Sequence, residues 1–267
     1  MSAPNTPRQE REAEYFDQLW SGRAQWESSF PPEEIAFESL SGRRRPYNMG
    51  WEYILAVRSL GIAGKDVLEM GRGPGHHTAS FAKLGARVWA FDISSAAVET
   101  AKRRVQHYGL RADLSVMPAE RLSYPDQSFD FVVGYGILHH VSLREGAPEI
   151  RRVLRPGGTA VFAERIEWPL FDRIRNLKLI TRALPHGGFK AGLDRNVTED
   201  ERKLGASDFA ELRKHFALVE YREFYFLNRL TEFLPRFESA FQKIDYQLFR
   251  WLPFLRRAAA GAIITLR

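Results

Sequence analysis

Apolar residues recur with two different periods through the middle of the chain. Short apolar runs that predict strands alternate with stretches whose apolar positions return every three or four residues, which predict helices. The predicted strands are residues 65–70, 86–92, 112–117, 128–134 and 158–164, and the predicted helices are residues 75–84, 94–107 and 143–154. Ser94 or Ser95 is expected to cap the second of these helices. This alternation predicts an α/β fold, in which helices cover both faces of a doubly wound parallel sheet.

The pattern changes on either side of this core. Residues 8–28 place an aromatic stripe among charges at helical spacing, which is typical of a packing surface, and a second helix is predicted to begin near Trp51. Beyond the core, residues 206–216 predict a helix, residues 217–226 a strand and residues 261–267 a last strand.

We expect a single domain in four parts. These are a helical N-terminal segment (residues 1–60), a core (61–164), an insertion (165–206) and a C-terminal part of the core with its own helical insertion (207–267). The insertion at 165–206 is too long for an ordinary connection, and it follows the fifth strand at the edge where such sheets bind their ligands. We therefore expect it to cap the substrate.

A glycine-rich turn and an acidic residue follow the first two predicted strands. Gly71, Gly73 and Gly75 let the backbone approach a ligand closely, and Asp92 at the end of the second strand can accept hydrogen bonds from both ribose hydroxyls. The third glycine of a dinucleotide fingerprint would stand at position 76, where the chain has His76. The turn therefore indicates a nucleotide-binding βαβ unit and disfavours NAD, and an NAD-dependent oxidoreductase stays the alternative from another enzyme class.

Four stretches, in order along the chain, resemble the class I S-adenosyl-L-methionine (SAM)-dependent methyltransferases. The glycine turn EMGRGPG (residues 69–75) resembles their motif I, residues 117–125 the loop that cradles adenine, and residues 125–141 and 149–164 their fourth and fifth strands with the flanking segments. The resemblance implies a Rossmann-like sheet of seven strands, mostly parallel, with an antiparallel last strand. It also implies that the helical segment before the first strand folds over the cofactor as a lid.

The resemblance implies SAM as the cofactor and assigns its contacts by matching position. The implied cofactor-binding residues are Tyr47, Glu69, Gly71, Gly73, Asp92, Ile93, Ala119, Glu120 and Tyr135. Tyr47 and its neighbour Asn48 either line the pocket or cap the helix that follows them. Pro118 stands where the family usually has an acidic residue, so the adenine amino group must find Glu120 or a backbone carbonyl. Arg72 replaces the small residue that is common between the glycines.

By the same resemblance, the chain is expected to methylate a small molecule: a natural product, a sugar or an amphiphile. His139 follows the fourth strand and is the candidate general base, because histidine titrates near neutrality, and Glu164 at the end of the fifth strand is the second catalytic candidate. Each residue also has a purely structural interpretation. His139 could form part of a turn, and Glu164 could pair with Arg165 or with an arginine of the cap. Pro118 and Arg72 leave open an enzyme that binds SAM but uses it for other chemistry.

Composition narrows the function classes further. The chain has no cysteine, which excludes disulfides, thiolate metal sites and cysteine nucleophiles, and its adjacent histidine pairs at 76–77 and 139–140 do not indicate a metal site. The net charge of +6 comes from scattered basic residues, which does not indicate a nucleic-acid partner. The polar N-terminus and the absence of an apolar run of about 18 residues predict a cytoplasmic protein. We expect a monomer or a homodimer.

One C-terminal stretch combines apolar and basic side chains. It contains Arg250, Trp251, Leu252, Phe254, Leu255, Arg256 and Arg257. Such a stretch either contacts a membrane surface or an amphiphilic substrate, or packs as an ordinary helix whose arginine stems lie along the surface.

Overall fold

A computed structural model of the protein describes residues 5–23, 47–71, 73–167, 202–232 and 234–267. Its helices are α1 (Pro7–Arg23), α2 (Met49–Ser59), α3 (His76–Lys83), α4 (Ser95–His107), α5 (Leu143–Val153), α6 (Ala206–His215) and α7 (Glu238–Trp251). Its strands are β1 (Asp66–Met70), β2 (Arg87–Asp92), β3 (Asp113–Val116), β4 (Phe129–Tyr135), β5 (Leu154–Arg165), β6 (Val219–Phe224) and β7 (Gly261–Leu266). Short 3-10 helices lie at Leu138–His140, Leu227–Glu232, Pro235–Phe237 and Pro253–Ala258.

The strands form one seven-stranded sheet in the order β3-β2-β1-β4-β5-β7-β6. β1 pairs in parallel with both β2 and β4, whereas β7 runs antiparallel to β5 and to β6. This confirms the predicted α/β fold, a mostly parallel sheet with an antiparallel last strand. Because the direction of winding reverses at β1, a crevice opens outside the carboxyl ends of β1 and β4.

Helices cover both faces of the central strands. Every residue of β1 is buried, which is why its sequence lacks the polar alternation of a half-exposed strand. Leu68 and Met70 belong to a core cluster on one face of the sheet, and Val67 joins Tyr53 and Phe81 in the cluster on the other. A one-residue shift of β1 would exchange these two sets, so packing on both faces fixes its register.

The largest boundary error of the sequence prediction concerns β5. The segment Pro156-Gly157-Gly158 resembles a tight turn before the strand, but the pairing with β4 continues through it. Phe129 lies opposite Leu154 and Phe131 lies opposite Thr159, so the segment forms a bulge inside a strand of 12 residues. Gly157, with φ +77°, supplies the left-handed residue that the bulge requires.

Two helices begin at side-chain caps. Asn48 caps α2, since its side-chain oxygen accepts a hydrogen bond of 3.1 Å from the Trp51 N–H. Ser94 caps α4 in the same way, as predicted, by accepting a hydrogen bond of 3.0 Å from the Ala97 N–H. Helix α1, in the segment expected to act as a lid, packs against α4.

Several predictions from the sequence fall outside the described residues. Most of the expected cap at 165–206 lies in residues 168–201, and Arg72 is also outside the described part of the chain. The insertion before β7 is helical, and it consists of α7 and the short 3-10 helices on either side. None of the helices that the structure describes is both long enough and apolar enough to cross a membrane.

Substitution of Gly75, at the start of α3, tests how tightly this part of the chain packs against α4. This glycine has φ +85°, and a methyl group there would collide with Ala101 of α4, whereas Gly61 has φ +71° with open space around it. Gly61→Ala is expected to cost about 1 kcal/mol of unfolding free energy from the left-handed backbone alone. Gly75→Ala should cost about 2–4 kcal/mol, because overpacking adds to the same backbone term. Urea unfolding of both variants measures the difference, and equal losses would mean that α4 yields without cost.

Candidate functional site

The glycine loop after β1 lies on the carboxyl end of β2. Gly71 has φ +62°, and a Cβ atom there would stand 2.6 Å from the Ile137 side chain. Its N–H donates a hydrogen bond of 3.1 Å to the Phe91 carbonyl, and the N–H of Gly73 donates one of 2.8 Å to Asp92 Oδ2. The loop is therefore fixed by its neighbouring strand, and because Gly71 and Gly73 lack side chains, their backbone lines the cleft beneath Ile137 and Trp20.

Asp92 ends β2 with only 8% of its surface exposed. Besides the bond from Gly73, its Oδ1 accepts a hydrogen bond of 3.0 Å from the Ser94 N–H. An ionised carboxylate has about four lone-pair sites. Asp92 can therefore hold the loop and the start of α4 while it still accepts hydrogen bonds from hydroxyl groups in the cleft.

A cleft of about 680 Å³, counted to its open mouth, lies against these strand ends. The predicted residues that line it are Gly71, Gly73, Asp92, Ile93, Ala119 and Glu120. They are joined by residues that the sequence did not single out for this role, namely Arg8, Gln9, Glu12, Phe16, Trp20, Phe91, Met117, Gly136, Ile137, His140 and Val141.

Helix α1 forms the roof of this cleft. Trp20 lies over the glycine loop, with its ring 3.4 Å from the position of a Cβ atom on Gly73. Asp17 lies at the start of α4, where its Oδ1 accepts hydrogen bonds from the Ala96 N–H at 3.0 Å and from Ser94 Oγ at 2.7 Å. A carboxylate at a helix N-terminus also interacts favourably with the helix dipole. Asp17 therefore fastens the middle of α1 to the core.

The N-terminal end of α1 is fastened to the opposite wall. Glu120 accepts a hydrogen bond of 3.0 Å from Gln9 Nε2 and another of 3.0 Å from the Ser142 N–H. Arg8 lies 3.8 Å from Glu120 Oε1 and donates a hydrogen bond to the carbonyl of His140. These contacts close one side of the roof.

Glu69 and the aromatic rings near it lie behind the glycine loop. Glu69 is 2% exposed, and its Oε2 accepts a hydrogen bond of 2.5 Å from Thr78 Oγ1, which ties β1 to α3. His77 Nδ1 lies 4.0 Å from Glu69 Oε1, and the His77 ring lies 5.5 Å from that of Tyr135 and 5.3 Å from that of Tyr53. Burial lowers the pKa of His77 to about 4, with a smaller contribution from neighbouring His76, so its imidazole is neutral at physiological pH.

The two catalytic candidates form a buried pair beneath the loop after β4. Glu164 is completely buried, and its Oε2 lies 2.7 Å from His139 Nδ1. Its Oε1 accepts hydrogen bonds from the N–H groups of Ile137 at 2.8 Å and Leu138 at 2.7 Å. His139 is 5% exposed. The pair therefore fixes the turn that carries Ile137 into the cleft.

A second cavity, of about 410 Å³, lies at the carboxyl end of β6. It contains Tyr47, whose ring packs 4.2 Å from that of Tyr246, and the structure thus places Tyr47 apart from the other predicted cofactor residues. Tyr225 also lines this cavity, and its hydroxyl oxygen accepts a hydrogen bond of 2.9 Å from the Met49 N–H. The remaining lining includes Arg222, Asp245, Phe249, Arg250 and Arg256.

Comparisons with known proteins identify the core. Residues 67–158 match the family model described as a methyltransferase domain. Over 126 residues the chain is 33% identical to the ubiquinone/menaquinone biosynthesis C-methyltransferase UbiE of Bordetella avium, which covers 45% of this chain and 49% of that protein. Residues 67–158 therefore carry the sequence pattern of a methyltransferase domain.

Further relatives extend the likeness of this methyltransferase domain. The demethylmenaquinone methyltransferase of Clavibacter sepedonicus is 36% identical over 104 residues, or 39% of this chain and 42% of that protein. The chain thus spans about half the length of the curated relatives it matches. Geranyl diphosphate C-methyltransferase from Streptomyces coelicolor, solved with Mg²⁺, geranyl diphosphate and S-adenosyl-L-homocysteine, has a TM-score of 0.60 at 14% identity and covers 99% of this chain and 98% of its own. At this identity the likeness concerns the fold.

Within the methyltransferase domain, the structure brings six of the nine predicted cofactor residues to the first cleft. Glu69 lies behind the loop, and Tyr135 ends β4 next to Gly136, which lines the cleft. The contacts of α1 were missed because they join residues far apart in sequence. Their only sequence signal was the aromatic stripe that includes Phe16 and Trp20, whose spacing indicates a packing surface without naming the partner.

The half-buried imidazole of His77 makes stability depend on pH. Because its pKa is about 4 when folded and about 6.5 when unfolded, the unfolded chain binds more protons between these values, and stability falls as the pH falls through this window. Between pH 7 and pH 5 the native protein is expected to lose about 1–2 kcal/mol more than His77→Phe, which keeps a ring but cannot be protonated. This range allows for the 24% exposure of the side chain. Urea unfolding at both pH values measures the difference, and parallel losses would contradict a neutral His77.

Proposed function

We propose that the protein transfers a methyl group from SAM to a small-molecule acceptor. The observation that supports this most is the first cleft, in which the backbone of the glycine loop and the carboxylate of Asp92 face the same space at the carboxyl ends of β1 and β2. The match of residues 67–158 to a methyltransferase domain gives this arrangement its chemistry. When bound, SAM supplies a methyl group that its sulfonium already activates.

In this proposal the chain binds and orients. Gly71 and Gly73 present backbone to the methionine part of the cofactor, Asp92 accepts hydrogen bonds from the ribose hydroxyls, and the carbonyl of Tyr135 accepts from the ammonium group. Ile93 and Ala119 supply apolar walls for adenine. Because Glu69 is hydrogen-bonded to Thr78, its proposed role is to hold the loop. Positioning of this kind supplies much of the acceleration in a transfer between two bound reactants.

Glu120 has a more specific proposed role than an adenine contact. Both of its oxygens accept hydrogen bonds within the chain, one from Gln9 of α1 and one from the Ser142 N–H. We infer that Glu120 holds the roof over adenine, and that a contact with the adenine amino group, as expected from the sequence, would use its remaining lone pairs.

For the acceptor we favour an amphiphile over a sugar. The second cavity combines tyrosine rings with Arg222, Arg250 and Arg256. Arg222 pairs with Glu52, and these arginines outnumber the carboxylates Glu223 and Asp245 in the lining. This lining suits a molecule with an apolar part and an anionic group. Relatives point the same way: UbiE is named for ubiquinone and menaquinone biosynthesis, and the Streptomyces structure holds geranyl diphosphate, which joins an apolar chain to an anionic group. A cytoplasmic location and a monomeric or homodimeric state stay predictions from the sequence.

Asp92 tests the cofactor assignment. Asp92→Ala is expected to weaken binding of S-adenosyl-L-homocysteine at least tenfold, because hydrogen bonds to a charged group are worth about 1.5–3 kcal/mol. Asp113→Ala, which removes an exposed carboxylate at the start of β3, is the matched control and should leave binding unchanged. Isothermal calorimetry measures both, with NAD as a second ligand. Unchanged affinity of Asp92→Ala, or tighter binding of NAD, would reject the proposal.

Methyl-labelled SAM separates methyl transfer from other uses of the cofactor. Label that appears in an amphiphilic acceptor supports the proposed reaction. Release of methylthioadenosine without transfer of label would instead support the alternative that the sequence left open, a SAM-binding enzyme with different chemistry.

Variants of His139 distinguish a positioning role for this residue from general-base catalysis. We favour positioning, because its Nδ1 is bonded to buried Glu164 and its ring lies beneath the turn that carries Ile137. His139→Ala should then lower both cofactor affinity and stability. We expect the unfolding free energy to fall by about 1–3 kcal/mol, because buried Glu164 loses one hydrogen-bond donor. His139→Asn, which keeps a side-chain N–H donor, should recover part of both.

The kinetics give the opposite result if His139 is a base. Loss of a general base lowers kcat by a factor of roughly 10²–10⁴ at saturating cofactor, and Asn does not restore it. Titration with S-adenosyl-L-homocysteine, thermal unfolding and kcat at saturating SAM distinguish the two roles.

A further inference from the structure

The buried face of helix α7 is mostly polar. The helix buries Gln242, Asp245 and Phe249, which are spaced three and four residues apart and so share one face. The polar members of this face are satisfied: Asp245 accepts hydrogen bonds from the N–H groups of Phe226 at 2.8 Å and Leu227 at 2.6 Å, and Gln242 donates one of 3.0 Å within the helix. In a surface helix of a globular protein the buried face is normally the apolar one.

Apart from buried Phe249, the large apolar residues of α7, together with Phe237 before it, form a partly exposed outer stripe. They follow one another at spacings of four, three, four and three residues, which places them in one stripe: Phe237, Phe241, Ile244, Leu248 and Trp251. Ile244 is 44% exposed and Trp251 is 73% exposed, and the turn that follows the helix adds Phe254 at 64%. Phe241 and Leu248 of the stripe are half-buried, and exposed rings clustered on one surface in this way are typical of an interaction site.

A row of basic residues runs beside the stripe. Arg236, Lys243 and Arg250 each precede one of the exposed apolar residues, at a spacing of seven positions, and Arg256 and Arg257 continue the row in the next turn. The guanidinium of Arg236 lies 4.9 Å from the centroid of the Phe237 ring, and that of Arg250 lies 5.7 Å from the Trp251 ring. Cations and exposed rings therefore share one surface, which we call the α7 surface (residues 236–257, its outward side chains).

The charges decide between two kinds of occupant. In a symmetric dimer across the α7 surface, each basic row would face its own copy, and like charges at an interface are costly. Anionic lipid head groups complement the same row, because each nearby lysine or arginine adds attraction to a negative membrane surface. Exposed tryptophan and phenylalanine rings next to arginines are typical of helices that lie in the membrane interface.

We propose that the α7 surface docks the protein on membranes that contain anionic lipid. The stripe enters the head-group region, and the basic row contacts the phosphates on either side. The second cavity opens beside this surface, since Tyr246, Arg250 and Arg256 line it. If the proposed methyl transfer to an amphiphile holds, docking brings that cavity to a membrane-borne acceptor, and this step alone rests on the proposed function.

Co-sedimentation of the full chain with lipid vesicles tests the docking, in the absence of SAM and of any acceptor. Vesicles of phosphatidylcholine are compared with vesicles of equal parts phosphatidylcholine and phosphatidylglycerol. Binding is expected only to the anionic vesicles and should weaken with added salt. Trp251→Ala with Phe254→Ala should weaken it by roughly tenfold for each side chain. Lys243→Gln with Arg257→Gln should weaken it by roughly fivefold for each charge.

A matched control removes the same kinds of side chain elsewhere. Leu55→Ala with Lys83→Gln changes exposed residues of α2 and α3 and should leave vesicle binding unchanged. Native protein should also shift its tryptophan emission to the blue on anionic vesicles, whereas Trp251→Phe should not.

Three results would overturn the proposal. These are no binding of native protein to anionic vesicles, equal losses in the α7 and control variants, or sedimentation equilibrium that shows a dimer which Trp251→Ala with Phe254→Ala dissociates. The last result would assign the α7 surface to a second copy of the chain. Because cofactor binding is measured separately, failure of docking leaves the methyl-transfer proposal standing.

Discussion

The carboxylate of Asp92 joins three parts of the structure that are separate in sequence. It ends β2, it accepts a hydrogen bond from the glycine loop after β1, and it accepts another from the N–H of Ser94 before α4. Ser94 in turn donates to Asp17 of α1. One chain of hydrogen bonds thus runs from the sheet to the roof of the first cleft. The position of the ligand loop and the position of the roof therefore depend on the same side chain.

The sheet was predictable because each strand carries its own signal. The central strands are apolar on both faces, and the helices between them repeat apolar residues at helical spacing, so period and order along the chain were sufficient. The bulge in β5 was not predictable from Pro156-Gly157-Gly158. The same residues form a tight turn or a bulge, and only the pairing of Phe129 with Leu154 distinguishes them.

The candidate site was predictable where a local motif carried it. Gly71, Gly73 and Asp92 follow from the spacing of one βαβ unit, and the structure places them together. The contacts of Asp17 with Ser94 and of Glu120 with Gln9 join residues that no short-range pattern connects. Tyr47 shows the converse: its place next to the core suggested the cofactor pocket, but packing against Tyr246 puts it in the second cavity. The sequence predicted His139 and Glu164 separately as catalytic candidates. The hydrogen bond between them could not be predicted, because only the fold brings the two residues together.

The roof formed by α1 has a consequence for turnover. Asp17, Arg8 and Gln9 attach the helix to the start of α4, the turn before α5 and the loop after β3, so displacement of the roof breaks polar contacts at three places. Loss of any one of these contacts leaves the others in place, so the helix is held at its N-terminal end and in its middle. If the proposed methyl transfer holds, these contacts would slow exchange of the spent nucleoside on the side of the cleft that the helix covers.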